Sequence, residues 1–148
     1  MKPVDKTVSG QSDTLAFELD LNHSPQKVWR AITEPELLSR WLLPVTGFKL
    51  DVGAAFTLNT QPVGGWDGVV KCRVLESEAH KKLSYAWVVG DMEIDTVVTF
   101  TLSPTETGTH LSITQSGFKP HQKQAFGGAR YGWNLMGGRL IDLLEKGD

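Results

Sequence analysis

Between residues 82 and 116 the chain contains three stretches in which one face repeats at every second position. Leu83, Tyr85, Trp87 and Val89 share a face in the first, and Ile94, Thr96, Val98, Phe100 and Leu102 in the second. Leu111, Ile113 and Gln115 do so in the third. Alternation at period two specifies β-strands with one buried side. The connections at Gly90-Asp91 and in "SPTETG" are too short for a parallel crossover, so the strands form an antiparallel meander. A sheet with one apolar face has to bury that face under another layer. The rest of the chain must therefore supply a cover.

The segment "TLAFELDL" places Leu15, Phe17, Leu19 and Leu21 on one side of a further strand. "NHSPQKVWRAIT" reads as a helix start, with Ser24 as N-cap, Pro25 at the first helical position, and Val28, Trp29 and Ile32 at buried spacing. "EPELLSRWLL" gives a second short helix, opened near Pro35, ended by Pro44, and apolar at Leu37, Leu38 and Trp41. "FKLDVG", "AAFTLNT" and "WDGVVKCRVLESE" lead into the meander, and Phe56 and Leu58 alternate within the second of them. The predicted order is a strand, two short helices, about six antiparallel strands and one long helix, which is an α+β architecture. Residues 1–13, polar with Pro, Gly and Ser, are expected to be a flexible tail, and residues 14–148 a single domain.

The long helix is the largest available lid. Its text, "AFGGARYGWNLMGGRLIDLLEKG", carries five glycines before its terminal Gly147, each costing roughly 1 kcal/mol relative to alanine in a helix interior. At 100° per residue from Gln122, one arc about 120° wide collects the apolar and small residues. It contains Gln122, Ala125, Phe126, Ala129, Trp133, Met136, Gly137, Leu140, Leu143 and Leu144. Gly127, Gly128 and Gly138 fall on the opposite side, Gly132 at the edge, and Gly147 at the C-cap position. The carboxyl half of the arc is bulky and suits anchoring, whereas the amino half is mostly small or polar. A helix clamped at one end and thinly packed at the other leaves room for a cavity beneath its thin end.

Other features narrow the chemistry. The formal charge is −2, and no basic block exceeds Lys81-Lys82, so no nucleic-acid partner is expected. Lone Cys72 excludes an intrachain disulfide and, on the parity of Val70 and Val74, reads as a small buried hydrophobe. The amino terminus lacks the apolar stretch of a signal peptide and no run reaches membrane-spanning length. A cytoplasmic protein without membrane insertion is expected. His23, His80, His110 and His121 lack metal-site spacing, and Glu93 and Asp95 lie opposite Ile94 and Thr96 on a solvated face. No metal, cofactor or catalytic residue is assigned.

Three segments, "HSPQKVWRAITEPELLSRWL", "GTHLSITQSGF" and "GWNLMGGRLIDLLE", resemble in that order the START-like superfamily, also called SRPBCC. Within it the chain is most similar to homologues of the carboxyl domain of the activator of the heat-shock-protein-90 ATPase. The resemblance spans roughly residues 14–146. It implies a helix-grip fold, in which a curved antiparallel sheet of six or seven strands wraps a long carboxyl-terminal helix over a hydrophobic cavity. Matched positions Trp29, Trp41, Gly117, Phe118, Gly132 and Trp133 are mainly architectural in such proteins. The superfamily includes lipid and hormone binders, polyketide cyclases and aromatases, and chaperone-associated proteins. No counterpart of the separate amino-terminal domain of the eukaryotic chaperone activator is expected in these residues.

Parity, the wheel and the resemblance together give a candidate ligand wall. Its aromatic members are Trp41, Phe56, Trp66, Tyr85, Trp87, Phe100, Phe126 and Trp133, and its polar members are Gln115 and Gln122. The leading reading is a protein that binds a small hydrophobic molecule between sheet and helix, as a monomer or a homodimer. A chaperone-associated interaction protein and a polyketide cyclase- or aromatase-like enzyme are the alternatives. The enzyme reading calls for a titratable group inside the wall, and parity places only Tyr85, Thr96, Gln115 and Gln122 there.

Overall fold

The computed structural model describes residues 3–8, 13–60, 68–90 and 93–146. Two amino-side strands, β1 (Val4–Asp5) and β2 (Thr14–Leu21), precede two short helices, α1 (Pro25–Thr33) and α2 (Pro35–Trp41). Six strands follow: β3 (Val45–Thr46), β4 (Ala55–Asn59), β5 (Val69–Glu78), β6 (Lys82–Val89), β7 (Ile94–Pro104) and β8 (Thr109–Ser116). The chain closes with α3 (Lys123–Glu145). The strands make one antiparallel sheet in the order β1-β2-β8-β7-β6-β5-β4-β3, so β2 pairs with the last strand of the meander. With α3 against its apolar face, this is a helix-grip fold.

Local chemistry accounts for the elements. Ser24 Oγ accepts from the Lys27 backbone N–H at 3.2 Å, and Pro25 follows it at the first helical position. The alternation in β6, β7 and β8 sends Leu83, Tyr85, Val98, Phe100, Leu111 and Ile113 into the core, each at most 1% exposed. Gly117 ends β8 with φ of +111°, and a Cβ there would stand 2.9 Å from the Asp95 carbonyl oxygen. Only glycine combines that backbone with that approach.

The sheet has eight strands where six or seven were expected, because two-residue strands add at its edges. One of them, β1, comes from the segment expected to be a loose tail. Val4 lies opposite Glu18, Asp5 lies opposite Phe17, and the Lys6 N–H donates to the Ala16 carbonyl at 2.8 Å. The free edge of β2 explains this, since its unpaired backbone groups offer the segment hydrogen bonds. The same segment lies along α3: Arg130 Nε donates to Asp5 Oδ2, and Pro3 packs where a Cβ on Gly137 would be. Burial lowers nothing here by itself; it raises the Asp5 carboxyl, and hydrogen bonds from Arg130 and Thr7 more than offset it, leaving the group below its usual value.

On α3 the wheel holds for Phe126, Trp133, Gly137, Leu140, Leu143 and Leu144, all buried. Ile141, outside the predicted arc, is buried as well. The apolar face widens at this end because α1 and α2 pack on α3 in addition to the sheet. The position of Gly147 lies outside the described residues.

Candidate functional site

The inward faces of β4, β6 and β7 bring a row of rings under α3. Phe56 meets Tyr85 at 5.1 Å between centroids, Tyr85 meets Phe100 at 5.8 Å, and Phe100 meets Trp133 of α3 at 6.1 Å. Trp87 continues the row against Trp133 at 5.7 Å, and Trp41 of α2 sets its edge on Phe100 at 6.1 Å. Register produces this order, since β6 sets Leu83 opposite Phe100, Tyr85 opposite Val98 and Trp87 opposite Thr96. Edge-on and tilted geometries of this kind add about 0.5–1.5 kcal/mol per pair beyond area burial.

A polar line runs beside the rings. Trp133 Nε1–H donates to Gln115 Oε1 at 2.8 Å, Gln115 Nε2–H to Thr96 Oγ1 at 3.0 Å, and Thr96 Oγ1–H to the Trp87 carbonyl at 2.9 Å. Gln115 and Thr96 are almost fully buried, so this satisfied chain orients Trp133 without exposing a free polar group. Trp41 is held likewise, its Nε1–H donating to the Ala31 carbonyl at 2.8 Å.

One group in the row is left over. The Tyr85 hydroxyl is buried and has no hydrogen-bond partner among the described residues. Burial, with the Cys72 thiol nearby, pushes its pKa well above the usual phenol value. Burial also pushes the Cys72 thiol up to about 12. Both groups are therefore protonated at neutral pH, so Cys72 is a poor nucleophile and Tyr85 a hydrogen-bond donor rather than a base. Among the described residues no three His, Cys, Asp or Glu side chains converge as metal ligands.

The predicted wall members fare differently. Trp41, Phe56, Tyr85, Trp87, Phe100, Gln115 and Trp133 are brought together. Phe126 instead packs on Phe118, with centroids 5.3 Å apart, because the turn after Gly117 folds Phe118 back under the start of α3. Gln122 is the α3 N-cap residue; its Oε1 accepts from the Lys119 N–H at 2.9 Å and its Nε2 donates to the Glu93 carbonyl at 2.7 Å. Trp66 lies outside the described residues. Phe48, in the irregular segment after β3 and edge-on to Phe56 at 4.8 Å, extends the row and was not among the predicted wall members.

Exposure varies along the row. Tyr85 and Phe100 are wholly buried, whereas Trp87 is half-buried, as are Ala125 and Ala129 in the amino half of α3. A groove of about 630 Å³ lies across β3 to β6, lined chiefly by outward positions of the sheet and also by Phe56 and Cys72.

A family model described as "Activator of Hsp90 ATPase homolog 1-like protein" matches residues 22–145. Among solved structures, protein MLL2253 from Mesorhizobium loti is 42% identical, with TM-score 0.82 over 91% of this chain and 98% of its own. The Aha1 dimer from Colwellia psychrerythraea is 20% identical, with TM-score 0.77 over 91% of this chain and 98% of its own. DynU16, a protein in the dynemicin biosynthetic locus, is 21% identical, with TM-score 0.77 over 92% of this chain and 48% of its own. The last two likenesses establish the fold alone. No curated protein matches the chain significantly.

Proposed function

The chain belongs to the Activator of Hsp90 ATPase homolog 1-like family of START-like proteins, and on that premise we propose that it binds a small, largely apolar molecule between the sheet and the amino half of α3. The molecule reaches the aromatic row at half-buried Trp87, and the small side chains of Ala125 and Ala129, half-buried as well, leave the amino half of α3 thin. The observation that carries this reading is the orphan hydroxyl of Tyr85 in that row. Leaving a buried hydroxyl unpaired costs roughly 1–3 kcal/mol, and native proteins seldom keep one without a use for it. A ligand carrying one acceptor atom pairs it and covers the rings. The protonated states of Tyr85 and Cys72 favour binding over catalysis, because neither supplies a base or a nucleophile at neutral pH.

Native mass spectrometry of the protein purified from its own host tests the reading. A retained small molecule, lost or reduced in Tyr85→Phe, is the expected result. Protein that carries nothing, yet enriches a 90-kDa heat-shock chaperone in pull-down, moves the chain to the chaperone reading instead. Sedimentation in the same preparation decides between monomer and homodimer.

A further inference from the structure

The groove on the opposite face of the sheet is a second site of different character. The outward positions of an antiparallel sheet are ordinarily polar. Here Ala55 of β4 lies opposite Arg73 of β5, which lies opposite Ala86 of β6. One pleat along, Thr57 lies opposite Lys71, which lies opposite Val88. Small side chains at 55 on β4 and at 86 and 88 on β6 thus lie on either side of two long cationic ones on β5, and Thr46 of β3 closes one side. The resulting volume, about 630 Å³, falls within the range of small-molecule sites, roughly 300–1,000 Å³.

The two cations are not equivalent. Arg73 Nη1 donates to the Gly53 carbonyl at 2.7 Å, which ties the guanidinium to the turn before β4. Among the described residues the Lys71 ammonium has no hydrogen-bond or ion-pair partner, and none of those lining the groove is acidic. One free ammonium beside an apolar floor matches a molecule with an apolar body and a single negative charge. We infer that this outer groove binds a small amphiphilic monocarboxylate, its body over Ala55, Ala86 and Val88 and its carboxylate at Lys71 Nζ. The groove meets the aromatic row only at Phe56 and Cys72, which also line it; its remaining lining residues alternate with the inward positions of β4, β5 and β6.

Amide shifts in heteronuclear NMR, with octanoate as probe and 1-octanol as its neutral counterpart, test the inference. Octanoate is expected to shift Ala55, Thr57, Ala86 and Val88, to bind roughly tenfold more tightly than 1-octanol, and to weaken with added salt. Lys71→Met, at an exposed position, is expected to remove that preference, and Ala86→Glu to abolish octanoate binding altogether. Equal binding of the two probes, or an unchanged preference in Lys71→Met, overturns the inference. So do shifts confined to the Trp133 indole and the Gln115 side chain, which place the anion in the interior and leave the inner-site reading standing. No binding of octanoate to the wild-type protein overturns it as well.

Discussion

From Trp133 to Leu144, α3 buries Trp133, Gly137, Leu140, Ile141, Leu143 and Leu144, and Lys27 Nζ donates to the Leu144 carbonyl at 2.7 Å. From Lys123 to Gly132 the same helix buries Phe126 alone, with Ala125 and Ala129 half-buried and Gly127 and Gly128 facing solvent. Hydrogen-bonding pattern is the same in both halves; what differs is packing. Most helix stability in a folded protein comes from the packed face, and propensity contributes little by comparison. The carboxyl half therefore has tertiary support that the amino half lacks, and the amino half carries three glycines, at 127, 128 and 132, against two in the carboxyl half.

Truncation tests the strong half first. Leu140→Ala, at a fully buried position, is expected to destabilise the protein by about 2–5 kcal/mol in chemical denaturation. The weak half should respond with the opposite sign. Gly127→Ala with Gly128→Ala, where an added Cβ meets nothing within 4 Å, is expected to stabilise by up to about 2 kcal/mol. The same double variant is expected to slow exchange of any bound molecule, because a stiffer helix opens less often over the row. Gly137→Ala breaks the symmetry of the glycines: its Cβ falls 2.5 Å from Pro3 Cγ. Displacing Pro3 outweighs the gain in propensity, for a net loss of about 1 kcal/mol and faster proteolysis of the amino-terminal segment.

The smallest expected effect is one of pH at the anchored end. Burial, and then the charge of Lys27, lower the His23 pKa below its usual value, while Nδ1 sits 3.2 Å from Lys27 Nζ. A group that binds its proton more readily when unfolded favours unfolding once it protonates. Its contribution is thus present above pH ~6.5 and declines as pH falls below that. Unfolding titrations of wild type and His23→Gln should converge at the alkaline end and differ in slope below it. Parallel curves throughout remove His23 from the account.

Much of this division was legible in the text. The wheel separated Gly137 from Gly127, Gly128 and Gly138, and period-two parity put Tyr85, Phe100 and Gln115 inside. Those signals survive because regular elements turn sequence spacing directly into direction. Side-chain partners were not legible. Phe126 and Gln122 lie on the predicted arc, yet one turns to Phe118 and the other to backbone groups of Lys119 and Glu93. Both choices depend on the path of the chain between Gly117 and Lys123, which no periodicity encodes. Ile141 was missed for a related reason: a wheel assumes one covering surface, and the end of α3 has the sheet, α1 and α2 around it. The outer groove was hidden because Ala55, Ala86 and Val88 come from three separate strands and become neighbours only through register.

Residue-resolved hydrogen exchange along α3 tests the central claim most directly. Local openings cost less free energy where buried contacts are few. Amides of residues 127–132 are predicted to exchange at least roughly tenfold faster than those of residues 136–144, with the slow set tracking global unfolding. In Gly127→Ala with Gly128→Ala the two rates should draw together. Uniform protection along the whole helix, or faster exchange at the Trp133–Leu144 end, would contradict an α3 anchored at its carboxyl half and yielding at its amino half.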